Sequence, residues 1–273
     1  MESILATLPS GIRFKTVSGE QDVYLDMALV MLEEILRGNR LNKPTVMIVP
    51  VGPTGQYPIL AELVNRLEVS LHNVHFFNMD EYLLSPTQAL AQDHPMSFHA
   101  RMRKDFYDQL RPDLAMPPSQ RHFPQPGREA EFDRLLQDLG GADLCLGGLG
   151  INGHIAFNEA AEPGDPITAE AFAALGTRVL PISRETRAIN AYGYQRGDLR
   201  GMPDYCITIG MKQILASRAV YIALNREWQH GIAKHALFDP VQPQIPATLL
   251  QRHPNVLFCA TQSIAQGLGT EGS

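Results

Sequence analysis

Short apolar runs alternate with segments of helical periodicity through most of this chain, and that alternation limits its fold more than any other feature. The runs are TVMIVPV (45–51), VHFFNM (74–79), LCLGGL (144–149), YCITIG (205–210), AVYIAL (219–224) and VLFCA (256–260). Several are apolar at consecutive positions, the pattern of strands covered by helices on both faces. Between them, Val23, Met27, Val30 and Met31 mark a helical face that Gly38 is expected to end. Pro58 is placed to start a second helix with Leu60, Leu63, Val64 and Leu67 inward. Phe98, Met102, Phe106 and Leu110 recur at every fourth position, and Phe132, Leu135, Leu136 and Leu139 precede Gly140. Such alternation predicts an α/β fold with a mostly parallel sheet and right-handed crossovers. The proline-rich stretch 111–127 and the EPGDP segment within 160–168 read as loops rather than interdomain linkers, so one domain is expected over residues 1–273.

Open parallel sheets bind ligands beyond the carboxyl ends of their strands, so the polar residues that follow strands carry the functional information. In GGLGINGHIAFNE (147–159), Gly148, Gly150 and Gly153 match the glycine spacing of a dinucleotide-binding loop. A dinucleotide site also needs a long helix opening at the loop, and Pro163 and Gly164 interrupt the downstream segment too soon. The other reading makes the glycines turn and packing residues that bring Asn152, His154 and Glu159 to a cleft. Imidazole suits proton transfer near neutral pH, and a carboxylate five residues on is placed to orient it. A buried histidine that merely satisfies a hydrogen bond stays open beside it. FNMDEY (77–82) places Asp80 and Glu81 at a strand's carboxyl end, where one can act as general base toward an acidic C–H or, alternatively, cap a helix or sit in a surface turn. VGPTGQYP (51–58) is a strand-to-helix turn of the kind that presents N–H donors to an anion, without a Walker lysine.

Charge and composition remove several classes. The 23 Lys and Arg against 29 Asp and Glu leave a net charge of -6, with no basic stretch longer than RMRK (101–104), so a nucleic-acid partner is not expected. No apolar run approaches the roughly 18 residues a membrane span needs, and the N-terminus lacks a basic start and a long apolar region. Cys145, Cys206 and Cys259 sit singly in apolar runs and read as reduced, buried strand residues. A cytoplasmic location is expected. The pairs His72/His75 and His230/His235 lack partners at metal-ligand spacing, so no metal is expected.

Taken together, these segments resemble the glucosamine-6-phosphate deaminase/isomerase family. FNMDEY and GINGHIAFNE resemble its two active-site signatures, PTGQYP (53–58) its sugar-phosphate loop, PDYCITIG (203–210) its late strand and LLQRHPN (249–255) its C-terminal helix end. The likeness runs in order from about residue 45 to about residue 260. It implies a three-layer Rossmann-like domain without a nucleotide cofactor, acting on a small sugar or sugar phosphate. It further implies aldose–ketose isomerisation coupled to loss of ammonia, and members are often homo-oligomers. By the same likeness, Asp80 moves a proton between C2 and C1, and His154 assists ring opening with Glu159 orienting it, while Asn152 joins them as a catalytic candidate. Substrate contacts fall to Thr54, Gly55, Gln56, Tyr57, Glu81, Gly150, Gly153, Arg187 and Tyr192.

The sequence departs from the family pattern at the anion site. Asn152 stands where the family usually has aspartate, and Gln56 and Tyr57 stand where a small residue and a hydroxyl are usual, expected to add bulk there. Tyr192 holds the place of the phosphate-binding arginine, and Trp228 or Gln229 that of a lysine, with Arg226 and Lys234 on either side. Either other cations hold the phosphate, with Arg184, Arg187 and Lys212 as candidates, or the substrate differs. The related 6-phosphogluconolactonases share the fold and a glycine–histidine loop, so a lactone hydrolase is an alternative, and a non-catalytic sugar sensor is another.

Overall fold

The structure, a computed structural model, describes residues 8–268; residues 1–7 of the N-terminal segment discussed above lie outside them. Seven strands form a parallel sheet in the order β1 (Ile12–Val17), β11 (Val256–Thr261), β10 (Val220–Leu224), β7 (Leu144–Gly148), β2 (Thr45–Val49), β3 (Val74–Asn78) and β6 (Arg121–His122). Five of the six apolar runs occupy these strands, as their burial on both faces requires. The alternation of side chains across the sheet separates two cores. One face carries Met47, Val49, Phe76, Leu144 and Tyr221 against α1 (Glu20–Leu41), α2 (Gln56–Arg66) and α3 (Phe98–Asp105). The other carries Ile48, Phe77, Cys145, Ile222 and Phe258 against α4 (Glu129–Asp138), α7 (Met211–Leu215), α8 (Gln229–Phe238) and a 3-10 segment (Pro246–Arg252). Helices on both faces of the sheet make the three layers. All three cysteines are free and buried in strands. Among the described residues no helix is long and apolar enough to cross a membrane.

The sixth run departs from expectation. β9 (Tyr205–Thr208) lies in a second, antiparallel sheet of order β5 (Gln88–Ala89), β4 (Asp80–Ser85), β9 and β8 (Arg178–Pro181). A short apolar run does not state the direction of its partner. The transition is at Met79, whose N–H still bonds Val49 of the main sheet while its carbonyl accepts from Ile209. Asp80 thereby opens a new strand rather than a turn.

Two helix boundaries also differ from the sequence expectation. Gly38 does not end α1, which runs on to Leu41 with Asn42 as a left-handed cap. Gly38 is needed for packing instead: a β-carbon there would overlap the Thr45 hydroxyl at the start of β2. The every-fourth series from Phe98 breaks at Phe106 (φ -139°), so Phe106 and Leu110 reach the core from a 3-10 turn rather than from α3. At the ends of their helices Leu67 and Leu135 are exposed, not inward.

Candidate active site

The strand order reverses beside β2: the chain moves outward through β3 and β6, then returns to lay β7 on the other side of β2. The loops that leave the carboxyl ends of adjacent strands there turn opposite ways and open a crevice, the place where doubly wound sheets bind ligands. The segments after β2, β3, β7 and β10 all line it, through Thr54, Asp80, His154 and Arg226 among others, and together enclose a cleft of about 620 Å³.

The adjacent carboxyls Asp80 and Glu81 have opposite fates because β4 sends successive side chains to opposite faces. Asp80 lines the cleft and is buried, and among the described residues no donor meets its carboxyl group. Burial, with the charge of Glu81 adding to it, pushes its pKa well above the usual carboxylate range. Glu81 faces away from the cleft, against the start of α3. Its Oε1 accepts from the N–H groups of Tyr82 and Phe98, both at 2.9 Å, and its Oε2 from Ser97 Oγ at 2.8 Å and His99 N at 3.1 Å. The substrate-binding role expected of Glu81 is therefore corrected: its oxygens are taken up by two orphan N–H groups of the helix terminus, the Ser97 hydroxyl and the N–H of Tyr82. Of the pair, Asp80 alone is free to act on a ligand.

His154 belongs to a fixed polar chain. Glu159 Oε2 accepts from Asn152 Nδ2 at 2.7 Å and from Thr186 Oγ1 at 3.1 Å, and Oε1 accepts from Ser183 N at 3.3 Å. Ser183 caps α6 (Arg184–Tyr194), so Glu159 sits where a helix N-terminus favours an anion. Burial pushes the Glu159 carboxyl up, but nearby His154 and the hydrogen bonds from Asn152 and Thr186 outweigh it and hold it at about 2. A carboxylate can only accept, so the amide of Asn152 must turn its NH₂ to Glu159 and its Oδ1 to His154. That oxygen lies 2.7 Å from His154 Nδ1, which must therefore be the protonated nitrogen. Nε2 has no partner among the described residues and is left to a ligand.

The glycines of this loop have local tasks. A β-carbon on Gly150 would overlap the imidazole of His154, so the ring is seated against bare backbone. Gly153 takes φ +82° and turns the chain, with its carbonyl accepting from Ala247, and does not line the cleft. No helix follows until α5 (Ala169–Ala173), so the geometry of a dinucleotide loop is not formed. Ala156, which lines the cleft, holds φ +57°, a left-handed conformation that costs a residue with a β-carbon about 1 kcal/mol or more.

At the 50–58 turn the expectation is corrected. Gln56 and Tyr57 add no bulk to an anion site, because both are buried under the turn: Tyr57 donates to Pro50 O, and Gln56 Nε2 donates to Pro53 O at 2.9 Å. Thr54 and Gly55 face the cleft as expected. Tyr192 is 80% exposed and off the cleft. Arg187 pairs with Asp204 and donates to Met202 O at 3.2 Å, and neither it nor Arg184 nor Lys212 lines the cleft. Gln229 lines it, but its side chain stitches two strand ends, donating to Leu149 O and accepting from Asn225 N and Arg226 N. Arg101, which no sequence motif marks, lines the cleft with Nη2 3.2 Å from Thr54 Oγ1. Its signal was faint, one residue of RMRK a turn beyond the Ser97 cap.

A parallel sheet with a cleft at its switch point, holding a desolvated carboxyl and an oriented imidazole, is the architecture of an α/β enzyme of the acid–base type. No family model matches the chain. It is 32% identical over 219 residues to a glucosamine-6-phosphate deaminase of Rhodopirellula baltica, spanning 78% of this chain and 79% of that protein. It is also 28% identical over 253 residues to one of Clostridium perfringens, spanning 89% and 96%. The chain belongs to the glucosamine-6-phosphate deaminase family. Among solved structures it resembles a monomeric glucosamine-6-phosphate deaminase (TM-score 0.78, 23% identity, 93% of this chain and 98% of that one). It also resembles the 6-phosphogluconolactonase of Trypanosoma cruzi (TM-score 0.68, 17% identity, 96% and 99%). At those identities the structural likenesses speak for the fold alone.

Proposed function

We propose that this protein converts an amino-sugar phosphate, glucosamine 6-phosphate or a near relative, to the ketose phosphate with release of ammonia. The observation that carries the reading is the contrast at Asp80 and Glu81: one carboxyl is satisfied by four donors, while its neighbour is left bare and desolvated in the cleft. A carboxylate in that condition is a strong base for a carbon-bound proton. Asp80 takes the proton from C2 of the open-chain sugar and returns it to C1, leaving an imine at C2 that water hydrolyses to the ketone and ammonia. His154, held through Nδ1 by Asn152, offers Nε2 to the ring oxygen and anomeric hydroxyl, moving the proton that ring opening requires.

Hydrolysis of a lactone needs no base for a C–H proton, so Asp80 favours the isomerase reading over the lactonase one. A sugar sensor likewise has no use for a desolvated base, and it would predict ligand-induced stabilisation with no turnover. The test is release of ammonia and ketose phosphate from glucosamine 6-phosphate, with Asp80→Asn as control. Turnover that survives in the variant, or hydrolysis of a phosphogluconolactone in place of deamination, overturns the reading.

A further inference from the structure

Among the described residues, the ionisable groups that line the cleft are Asp80, His154, Arg101 and Arg226, and acid–base chemistry accounts for the first two. The arginines have no part in it, yet both are tied to the Thr54–Gly55 turn. Arg101 on α3 donates to Thr54 Oγ1 and pairs with Asp105 one turn further on. Arg226, in the loop after β10, lies 3.3 Å from Oε1 of Glu20 at the start of α1. Glu20 in turn accepts from the Tyr24 hydroxyl and the Asn225 amide. The Tyr24 ring packs on Gly55, where a β-carbon would overlap it. One guanidinium is thus bound to the hydroxyl of the turn, and the other is linked through Glu20 to the Tyr24 ring that packs on Gly55.

We propose that Arg101 and Arg226 are the phosphate grip of this cleft, closing on the substrate's phosphate against Thr54 and Gly55. The assignment rests on the amino-sugar phosphate reading above. It supplies the two cations missing where the family resemblance placed them, since Tyr192 lies off the cleft and Gln229 is an uncharged stitch between strand ends. The guanidinium forks suit a phosphate dianion, which they can meet with paired donors. Both side chains are about half exposed, at 46% and 52%. Ion pairs in such settings hold weakly, so an arriving phosphate can displace Asp105 and Glu20. Phosphate affinity is therefore a competition between the ligand and these two carboxylates, and removing a carboxylate acts with the opposite sign from removing an arginine.

Inorganic phosphate is the probe, titrated against the full chain by thermal shift and calorimetry, alongside Arg101→Gln, Arg226→Gln and Asp105→Asn. Each arginine variant should weaken phosphate binding about tenfold or more, since one charge-assisted hydrogen bond alone is worth that much and a fork can make two. Asp105→Asn should tighten it, and the melting temperature of each arginine variant without ligand should stay near wild type. In turnover, both arginine variants should raise KM for glucosamine 6-phosphate with little change in kcat. Phosphate binding that is equal in wild type and both arginine variants, or absent in wild type, overturns the assignment whatever the turnover. Arginine-dependent phosphate binding in a protein that releases no ammonia would keep the grip and remove the deaminase reading.

Discussion

The imidazole of His154 is held by Asn152, whose Oδ1 lies 2.7 Å from its Nδ1, and the amide is itself oriented by Glu159 at 2.7 Å from its Nδ2. The amide passes the orienting effect of the carboxylate to the ring, and Glu159 Oε2 itself lies 3.6 Å from Nδ1. Replacing Asn152 by leucine keeps the volume and cuts both bonds, leaving Nδ1 free to lose its proton preference. Turnover should fall by about 10² in kcat with little change in KM, since positioned proton transfer contributes on that scale. Steady-state kinetics of the variant check it, and an unchanged kcat would mean that packing on Gly150 and the neighbouring Thr186 Oγ1, 3.3 Å from Nδ1, orient the ring without the amide.

Asp80 should trade stability for activity. Its folded pKa is raised by burial and by the charge of Glu81, while in the unfolded chain it titrates as an ordinary aspartate. Between those two values the unfolded state is already ionised and the folded state resists ionisation, so folding weakens as pH rises through the window. At neutral pH, Asp80→Asn removes that penalty. The variant should melt higher than wild type and lose about 10³-fold or more in turnover. A lower melting temperature would show that the carboxylate is better solvated in the cleft than its burial implies.

The strands and their two-faced burial were legible because consecutive apolar residues in short runs have few other uses. Asp80 and His154 were legible because they follow strand ends, where a doubly wound sheet collects its ligand groups; Asn152 and Glu159, expected at the cleft, stand behind His154 and do not line it. What failed depended on facts that no local pattern contains. Glu81 was misplaced because the start of β4 at Asp80 decides which neighbour faces the cleft, and that start is set by Met79 leaving the main sheet. Gln56 and Tyr57 were misplaced because a polar side chain beside a turn carries no sign of whether it points out or folds under it. Arg101 was passed over because its approach to Thr54 is made by tertiary packing of α3 against the turn. Gly38 read as a stop, but its smallness serves a contact with Thr45 that only the assembled sheet creates.

Glu81 should be a stability residue. Glu81→Ala removes an acceptor from the Tyr82, Phe98 and His99 N–H groups and from the Ser97 hydroxyl, although Ser97 Oγ still accepts from His99 N at 3.1 Å, a loss of roughly 3 kcal/mol. That corresponds to a drop of about 5–10 °C in melting temperature for a chain of this size. Glu81→Gln keeps one acceptor oxygen and should lose less. Scanning calorimetry of the two variants decides it, and equal melting of Glu81→Ala and wild type would remove the capping role.

Gly150 and Gly148 separate ring packing from loop flexibility. A β-carbon at Gly150 overlaps the His154 ring and must push it aside, whereas at Gly148 the nearest atom, Ala223 O, is 3.4 Å away. Gly150→Ala should lower kcat by about 10² at a stability cost of about 1–3 kcal/mol, and Gly148→Ala should retain most activity. Comparable activity in the two variants would mean that His154 does not need its present seat.

Glu159 should make the protein acid-labile over a defined range. Its folded pKa is about 2 and its ordinary value 4.5, so the folded state binds this proton less readily than the unfolded one. The stabilisation is fully present above the unfolded value, declines as pH falls below 4.5, and is gone once pH passes the folded value. Glu159→Gln cannot ionise and lacks this dependence. Its deficit relative to wild type, measured by urea unfolding, should be largest near neutrality and should narrow between about pH 5 and about pH 3. A deficit that stays constant across that interval would mean that Glu159 contributes through its shape and hydrogen bonds, with its charge adding nothing to the fold.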